Sequence, residues 1–320
     1  MPAPSGVPLV DVYRGQWIES VHAVAACAVT AAGETLLERG DVDVPVFMRS
    51  TAKPFIAAAV VATGAAARFG LEPRELAVMA ASHSGEPFHL EAVRAILRKA
   101  GLDQSALQCG VPDPARSALD NNCSGKHAGI LAACVHLGLD PEGYLAADHP
   151  VQRRISAFCA RAFDDDAEHW PVAVDGCGIP IFATSLRRAA KAFARMATLE
   201  RESSETRALR TVRDAMRAEP LYVSGTGRFD SALISATRGD IACKGGAEGV
   251  HGDALLRAGA GLALKVVDGS ARAVPPATLA FLSALGALEA PEAEALAAFA
   301  RPEVRNVAGR VVGEISARRL

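Results

Sequence analysis

Met48-Arg49-Ser50-Thr51-Ala52-Lys53-Pro54 sets a hydroxyl and an amine three residues apart where a helix is about to begin. Three residues make about one turn of α or 3₁₀ helix, so Ser50 and Lys53 share a face within hydrogen-bond reach. Pro54 lacks an N–H and fits best at a first helical position. The helix is therefore expected to start near Lys53, with residues 50–53 as a tight lead-in turn. A serine hydroxyl becomes a nucleophile when a neighbouring base takes its proton, and a lysine amine is such a base once desolvation or a second cation favours its neutral form. Ser-x-x-Lys also recurs by chance, and serine is an ordinary helix N-cap, so the pair takes its meaning from what converges on it.

Upstream, residues 7–47 alternate as strands do, in runs 9–13, 18–29 and 34–40 separated by turns at Arg14-Gly15-Gln16 and Ala31-Ala32-Gly33. An antiparallel meander is expected, delivering the chain to Arg49 and Ser50. Downstream, residues 55–63 are too uniformly apolar for a surface helix and read as a buried central one. A second serine pair, in Ala81-Ser82-His83-Ser84-Gly85-Glu86, lies between an apolar segment and an amphipathic helix expected over 87–100. Ser82 or Ser84 is either a working hydroxyl or the cap of that helix.

Asp120-Asn121-Asn122-Cys123-Ser124-Gly125-Lys126-His127 opens another apolar helix. It lacks the glycine and the Ser/Thr that a phosphate loop requires at its two ends. Cys123 and Lys126, again three apart, with His127 beside a helix N-terminus, suit an anion or a metal. Helix is expected over 140–163, a short strand over 171–180 ending at Asp175-Gly176-Cys177-Gly178, and helix again over 182–196 and 200–218. In Ser224-Gly225-Thr226-Gly227-Arg228-Phe229-Asp230 two glycines let backbone approach a ligand, and Arg228 is a candidate carboxylate partner. Lys265 interrupts the apolar strand 261–269; it is either an outward-facing residue on alternate pleats or a functional amine. Residues 275–300 read as helix, and 307–315 as a last strand.

At 320 residues, half of them apolar, the chain can bury a sizeable core. It reads as one α/β (α+β) unit over 1–320, an antiparallel sheet flanked by helices with an intimately packed helical lobe. A formal charge of −2 with interspersed signs offers no basic face to nucleic acid. The opening Met1-Pro2-Ala3-Pro4-Ser5-Gly6 has no charged n-region or apolar h-region, and no later run has bilayer-spanning length. Seven cysteines without close pairing fit a reducing compartment. A cytoplasmic protein with no membrane partner is expected.

Taken in order, Arg49 to Pro54, Ala81 to Glu86, Asn122 to His127, Asp175-Gly176-Cys177-Gly178, Ser224 to Asp230, Gly245-Gly246-Ala247-Glu248-Gly249 and Ala263-Leu264-Lys265 resemble the Rhizobium etli type of L-asparaginase, also called asparaginase II or class 3. The resemblance spans nearly the whole chain. It implies a fold related to serine β-lactamases and glutaminases, a homodimer, and hydrolysis of L-asparagine. It also implies two Ser-Lys tandems, Ser50 with Lys53 and Ser82 with Lys265, working through an acyl-enzyme. In this reading Ser50 is the nucleophile, and two lysines in one dry pocket favour each other's neutral form. Arg49 and His127 match substrate-contacting residues of the family, and Asp175 and Arg228 join them as binding candidates. Zinc-binding members use a cysteine and a lysine matching Cys123 and Lys126, with a second cysteine just past the Ala-Glu-Gly-Val stretch. Here that region carries His251 and no cysteine, and His251 can take the place of the thiolate.

Two other readings stay open on sequence. One is another acylating Ser-Lys hydrolase acting on glutamine, β-lactams or esters, although Asn121-Asn122-Cys123 and Gly225-Thr226-Gly227 match the β-lactamase elements poorly. The other is a non-catalytic amino-acid-binding protein.

Overall fold

The computed structural model describes residues 4–199 and 202–320. Residues 1–3 of the terminus read above, and residues 200 and 201 at the start of the helix expected over 200–218, lie outside the described residues. The chain divides into two compact units. One comprises Met1–Val46, Thr184–Thr198 and Ala236–Leu320, the other Phe47–Ala183 and Leu199–Ser235.

The first unit is built on an antiparallel sheet. Among the described residues its strand order is Glu303–Arg305, Val311–Ala317, Val7–Arg14, Trp17–Thr30, Ala260–Val266, Val250–Leu255 and Ile241–Gly246, with Thr35–Arg39 paired to Trp17–Thr30. The expected meander is Val7–Arg14, Trp17–Thr30 and Thr35–Arg39. Val24 to Val29 are wholly buried without alternation, as a central strand covered on both faces must be. Helix Leu186–Thr198 packs on strands Ala260–Val266, Val250–Leu255 and Trp17–Thr30. It lies close because glycines sit beneath it: a Cβ at Gly252 would come within 2.1 Å of the Phe193 ring, and one at Gly261 within 2.1 Å of the Ala190 carbonyl.

Two expectations shift here. The helix placed over 182–196 begins only at Leu186, because Pro180–Thr184 is a strand paired with Val172–Val174. The helix placed over 275–300 is broken into Val274–Ala284, Ala290–Ala295 and Ala297–Ala300. Gly286, at φ 64°, supplies the left-handed residue that ends the first piece, and Glu289 with Glu292 forms a capping box that starts the next. The final strand forms as Val311–Ala317 and pairs with the first, Val12 opposite Ile315.

The second unit is mainly helical. Helix Lys53–Ala62 is its buried centre, with every residue from Lys53 to Val60 out of water. It packs against helices Ser204–Ala218, Pro150–Phe163 and Ser124–Leu137, and Phe55 meets Phe163 edge to face at 4.7 Å. Gly125 allows helix Ser124–Leu137 to lie on Pro73–Met79, since a Cβ there would stand 2.2 Å from the Val78 carbonyl.

The helix expected over 140–163 begins at Pro150, with His149 as N-cap accepting the Val151 N–H at 3.2 Å. Proline at a first helical position and its effect on the residue before it set that start. Neither Ser82 nor Ser84 caps helix Pro87–Lys99; its N-cap is Glu86, whose N–H donates to His89 Nδ1. Among the described residues no helix is long and apolar enough to cross a membrane, and all seven cysteines are buried thiols outside any disulfide.

Candidate active site

The 48–54 stretch folds as its spacing predicts. Met48 is fixed by its N–H to the Phe182 carbonyl at 3.1 Å. A single 3₁₀ turn, Arg49–Ala52, then runs into the helix that Lys53 opens, and Lys53 N–H donates to the Ser50 carbonyl to close the turn. Arg49 takes a left-handed φ of 49°, a conformation that costs a non-glycine residue about 1–2 kcal/mol. It aims the guanidinium across to Asp175, with Nε donating to Oδ1 at 2.8 Å.

Lys53 is 1% exposed, so its amine must find partners inside the protein. Nζ donates to the Ala81 carbonyl at 2.5 Å and the Asn122 carbonyl at 3.2 Å, and lies 3.0 Å from Ser82 Oγ. The Cys123 thiol also hydrogen-bonds this amine, so that two carbonyls, a hydroxyl and a sulfur surround it. Spacing pairs Lys53 with Ser50, and the family resemblance pairs Ser82 with Lys265; the bond described in this unit joins Lys53 to Ser82. Ser82 is held in turn by its own N–H to the Val223 carbonyl at 3.0 Å. Ser50 lines a narrow pocket with Arg49, Lys53, Lys126 and Asp175. Its volume of about 10 Å³ is that of one ordered water.

Beside this pocket lies a thiol cluster. Cys123 is the N-cap of helix Ser124–Leu137, and Lys126, one turn on, places Nζ 3.0 Å from Cys177 Sγ. Donor atoms of Cys123, Asp175 and Cys177 all lie within 4.8 Å of one another. The hydrogen bond between the two thiols, with the charges of Lys53 and Lys126, holds the Cys123 thiol well below the ordinary range against burial. The same bond and burial drive Cys177 above it, against the pull of Lys126. Burial works against the Lys126 ammonium, but the two sulfurs and Asp175 outweigh it and raise its pKa. Burial likewise works against the Asp175 carboxylate, and Lys126 and Arg49 keep its pKa below the usual value.

Cys177 is the residue that sequence reasoning missed. Its signal lies in Asp175-Gly176-Cys177-Gly178, where the carboxylate is the more conspicuous polar anchor. The hairpin turn does the work: Gly178, at φ 91°, returns its N–H to the Asp175 carbonyl, so that Asp175 and Cys177 join one cluster. His251, expected to supply the missing ligand, belongs to the first unit. It lies on strand Val250–Leu255 with Nε2 3.0 Å from Asp253 Oδ1.

His127 is fully buried, with Nδ1 2.8 Å from the Tyr144 hydroxyl and no partner for Nε2 among the described residues. Burial, then the charges of Lys126 and Lys53, push its pKa far down, so the ring is neutral. Tyr144, which had no sequence signal, also receives the Gln108 N–H at 3.0 Å. Arg228 is exposed, just ahead of helix Phe229–Ala236. Lys265 lies in the first unit, half-buried, with Nζ 2.6 Å from each of the Glu248 and Val266 carbonyls. Burial lowers its pKa against the opposing charges of Glu248 and Asp268.

A model of the L-asparaginase II family matches residues 10–317. The chain belongs to the L-asparaginase II family. Membership rests on that match, which takes in every residue placed above. No relative is found among curated proteins. Of solved structures, the chain is similar to a suspected β-lactamase from Bacteroides dorei DSM 17855, with a TM-score of 0.44 and 16% identity over 78% of this chain and 86% of that one. A β-lactamase from Mycobacterium bovis gives a TM-score of 0.44 and 16% identity over 82% and 94%. Mglu in its native form gives 0.38 and 16% over 78% and 58%.

Proposed function

We propose that this member of the L-asparaginase II family hydrolyses L-asparagine to L-aspartate and ammonia through an acyl-enzyme, with Ser50 as nucleophile and Lys53 as its base. The observation that carries the reading is the buried amine of Lys53. Two main-chain carbonyls orient it and Ser82 faces it, one turn beyond a serine that lines a pocket with an arginine.

Ser50 Oγ attacks the side-chain carboxamide carbon as its proton passes to the Lys53 amine, either directly or through the Ser82 hydroxyl. The ammonium so formed returns the proton to the leaving nitrogen. The C–N bond breaks, ammonia departs, and an ester remains on Ser50. Water then attacks that ester with the same amine as base, releasing aspartate and restoring the hydroxyl. Arg49 is the bidentate partner for the substrate's α-carboxylate, exchanging Asp175 for it.

Zinc is part of the proposal. Two thiols, a carboxylate and the Lys126 amine, once the metal displaces its ammonium proton, are a donor set that suits tetrahedral zinc, with Cys123, Cys177, Asp175 and Lys126 as the residues that would hold it. Bound there, the ion would supply positive charge for an anionic group of the substrate. The family likeness adds a homodimer.

Ammonia release from L-asparagine by the wild type, Ser50→Ala and Ser82→Ala tests the mechanism, with L-glutamine and nitrocefin as competing substrates. Turnover of L-asparagine lost by several orders of magnitude in both variants supports it, and comparable turnover in all three proteins overturns it. Preference for glutamine or nitrocefin moves the reading to another Ser-Lys hydrolase.

A further inference from the structure

Behind the Lys53 amine, the segment carrying Ser82 and the segment opening the thiol helix are tied together a second time. His83 is 3% exposed and Ser124 is fully buried. His83 Nδ1 accepts the Gly85 N–H at 3.2 Å, so the ring proton sits on Nε2, which donates to Ser124 Oγ at 2.9 Å. The Ser124 hydroxyl spends its own proton on the Leu119 carbonyl at 2.8 Å. Each ring nitrogen has one role and one partner, and the Ser124 hydroxyl accepts one bond and donates one, which fixes the direction of the chain. The segments it joins, 81–83 and 122–124, are those that supply the two carbonyls on which the Lys53 amine rests.

We infer that His83, acting through Ser124, is a positioning residue for the Lys53 amine: the strut fixes the separation of the Ala81 and Asn122 carbonyls and so the direction in which the amine meets Ser82. The inference deepens the amidohydrolase reading above and rests on it for its kinetic consequence. An amine between two carbonyls is aimed by their spacing, and misplacement of a base by a fraction of an ångström costs rate rather than binding. His89, stacked on His83 at 5.1 Å, together with Lys53 and Asp120, completes the titratable groups described as acting on the ring.

The test compares Ser124→Ala, His83→Leu and His83→Gln, the last of which keeps an N–H donor where Nε2 stood. Ser124→Ala and His83→Leu are expected to lower kcat about tenfold or more with KM within about twofold, while His83→Gln stays within about threefold of wild type. Thermal unfolding of each variant separates a lost fold from a lost alignment, and Ser124→Ala, the smaller change, decides the matter if His83→Leu does not fold. Wild-type kcat in a folded Ser124→Ala overturns the inference. So does a loss carried by KM, or a His83→Gln protein as slow as His83→Leu. A second arm needs no substrate: in protein with 13C-labelled lysine side chains, the Lys53 resonance, assigned by its loss in Lys53→Arg, should move in Ser124→Ala and His83→Leu and hold still in His83→Gln. A resonance unmoved in all three overturns the strut. Absence of asparagine turnover in the wild type would sink the functional reading alone, and this arm would still decide the strut.

Discussion

Lys53 and Lys265 both interrupt apolar runs, and both are satisfied by main-chain carbonyls, yet the carbonyls come from different distances. Lys265 finds one on its own neighbour Val266 and one on Glu248, across the hairpin beside it. Lys53 reaches Ala81, Ser82 and Asn122, which lie 28, 29 and 69 residues away in sequence. The strand lysine is accommodated locally, whereas the helix lysine is held by a tertiary arrangement that exists only once several helices have packed. An amine aimed by remote segments can be re-aimed by changes far along the chain, which is what a tuned base requires and what a merely tolerated buried charge does not.

The sharpest way to break that contrast is to remove each amine. Lys53→Met should lower kcat/KM by about 10³-fold or more, the scale of a lost general base. It should also cost about 1–3 kcal/mol of stability by leaving two buried carbonyls without a donor. Lys265→Met should cost at least about tenfold less activity. Equal losses in steady-state assays would show that the two amines act as a single unit. Lys126, also buried, sets its amine against the Cys177 sulfur. Cys177→Ser should weaken zinc binding by about hundredfold or more in titration calorimetry; unchanged affinity would remove Cys177 from the site.

Gly125→Ala should destabilise the protein by about 1–3 kcal/mol in denaturant melts, because backbone, not a flexible side chain, opposes the added methyl. A neutral result would mean that the helix carrying Cys123 and Lys126 can shift without consequence.

The smallest effects are in pH. Burial first, then His89 and Lys53, push His83 down to about 3. The unfolded chain therefore binds the extra proton between its ordinary value near 6.5 and about 3, and stability falls as pH drops through that window. His83→Gln should flatten that slope between pH 7 and 5, though not abolish it, since His89 and His127 are lowered as well. For Lys265 the lowered pKa places the window on the alkaline side. The penalty on its buried charge stands at neutral pH and is relieved as pH rises through the lowered value towards that of an ordinary lysine. Lys265→Met should lose that alkaline gain; a wild type without it would mean that the amine is hydrated in solution.

Much of this was legible before any coordinates. Alternation and glycine turns revealed the meander, and Pro54 revealed where the central helix starts, because those signals are local. The helix read over 275–300 failed at Gly286, and that over 140–163 failed at Pro150, because apolar periodicity ran on past residues that stop or restart a helix. At the site, spacing names Ser50 with Lys53 and Cys123 with Lys126, and Ser82 comes from its turn and the family resemblance, but the long-range partners of these residues could not be read. That Lys53 meets Ser82, and that Cys177 rather than a residue near Gly249 joins Lys126, depends on how helices and a hairpin pack. The family resemblance points instead to His251, which lies in a different unit. Tyr144 and the His83 strut left no pattern at all, since single polar residues among apolar ones look alike until their partners are seen.

Arg49 puts a bulky cationic residue where the backbone conformation favours glycine. For anyone engineering this protein, the position sets durability against performance. Glycine there would relieve the chain and at the same time delete the guanidinium that faces Asp175. Selection for heat resistance alone would drift towards the relaxed, disarmed form, so a stability screen on this scaffold has to carry a turnover readout from its first round.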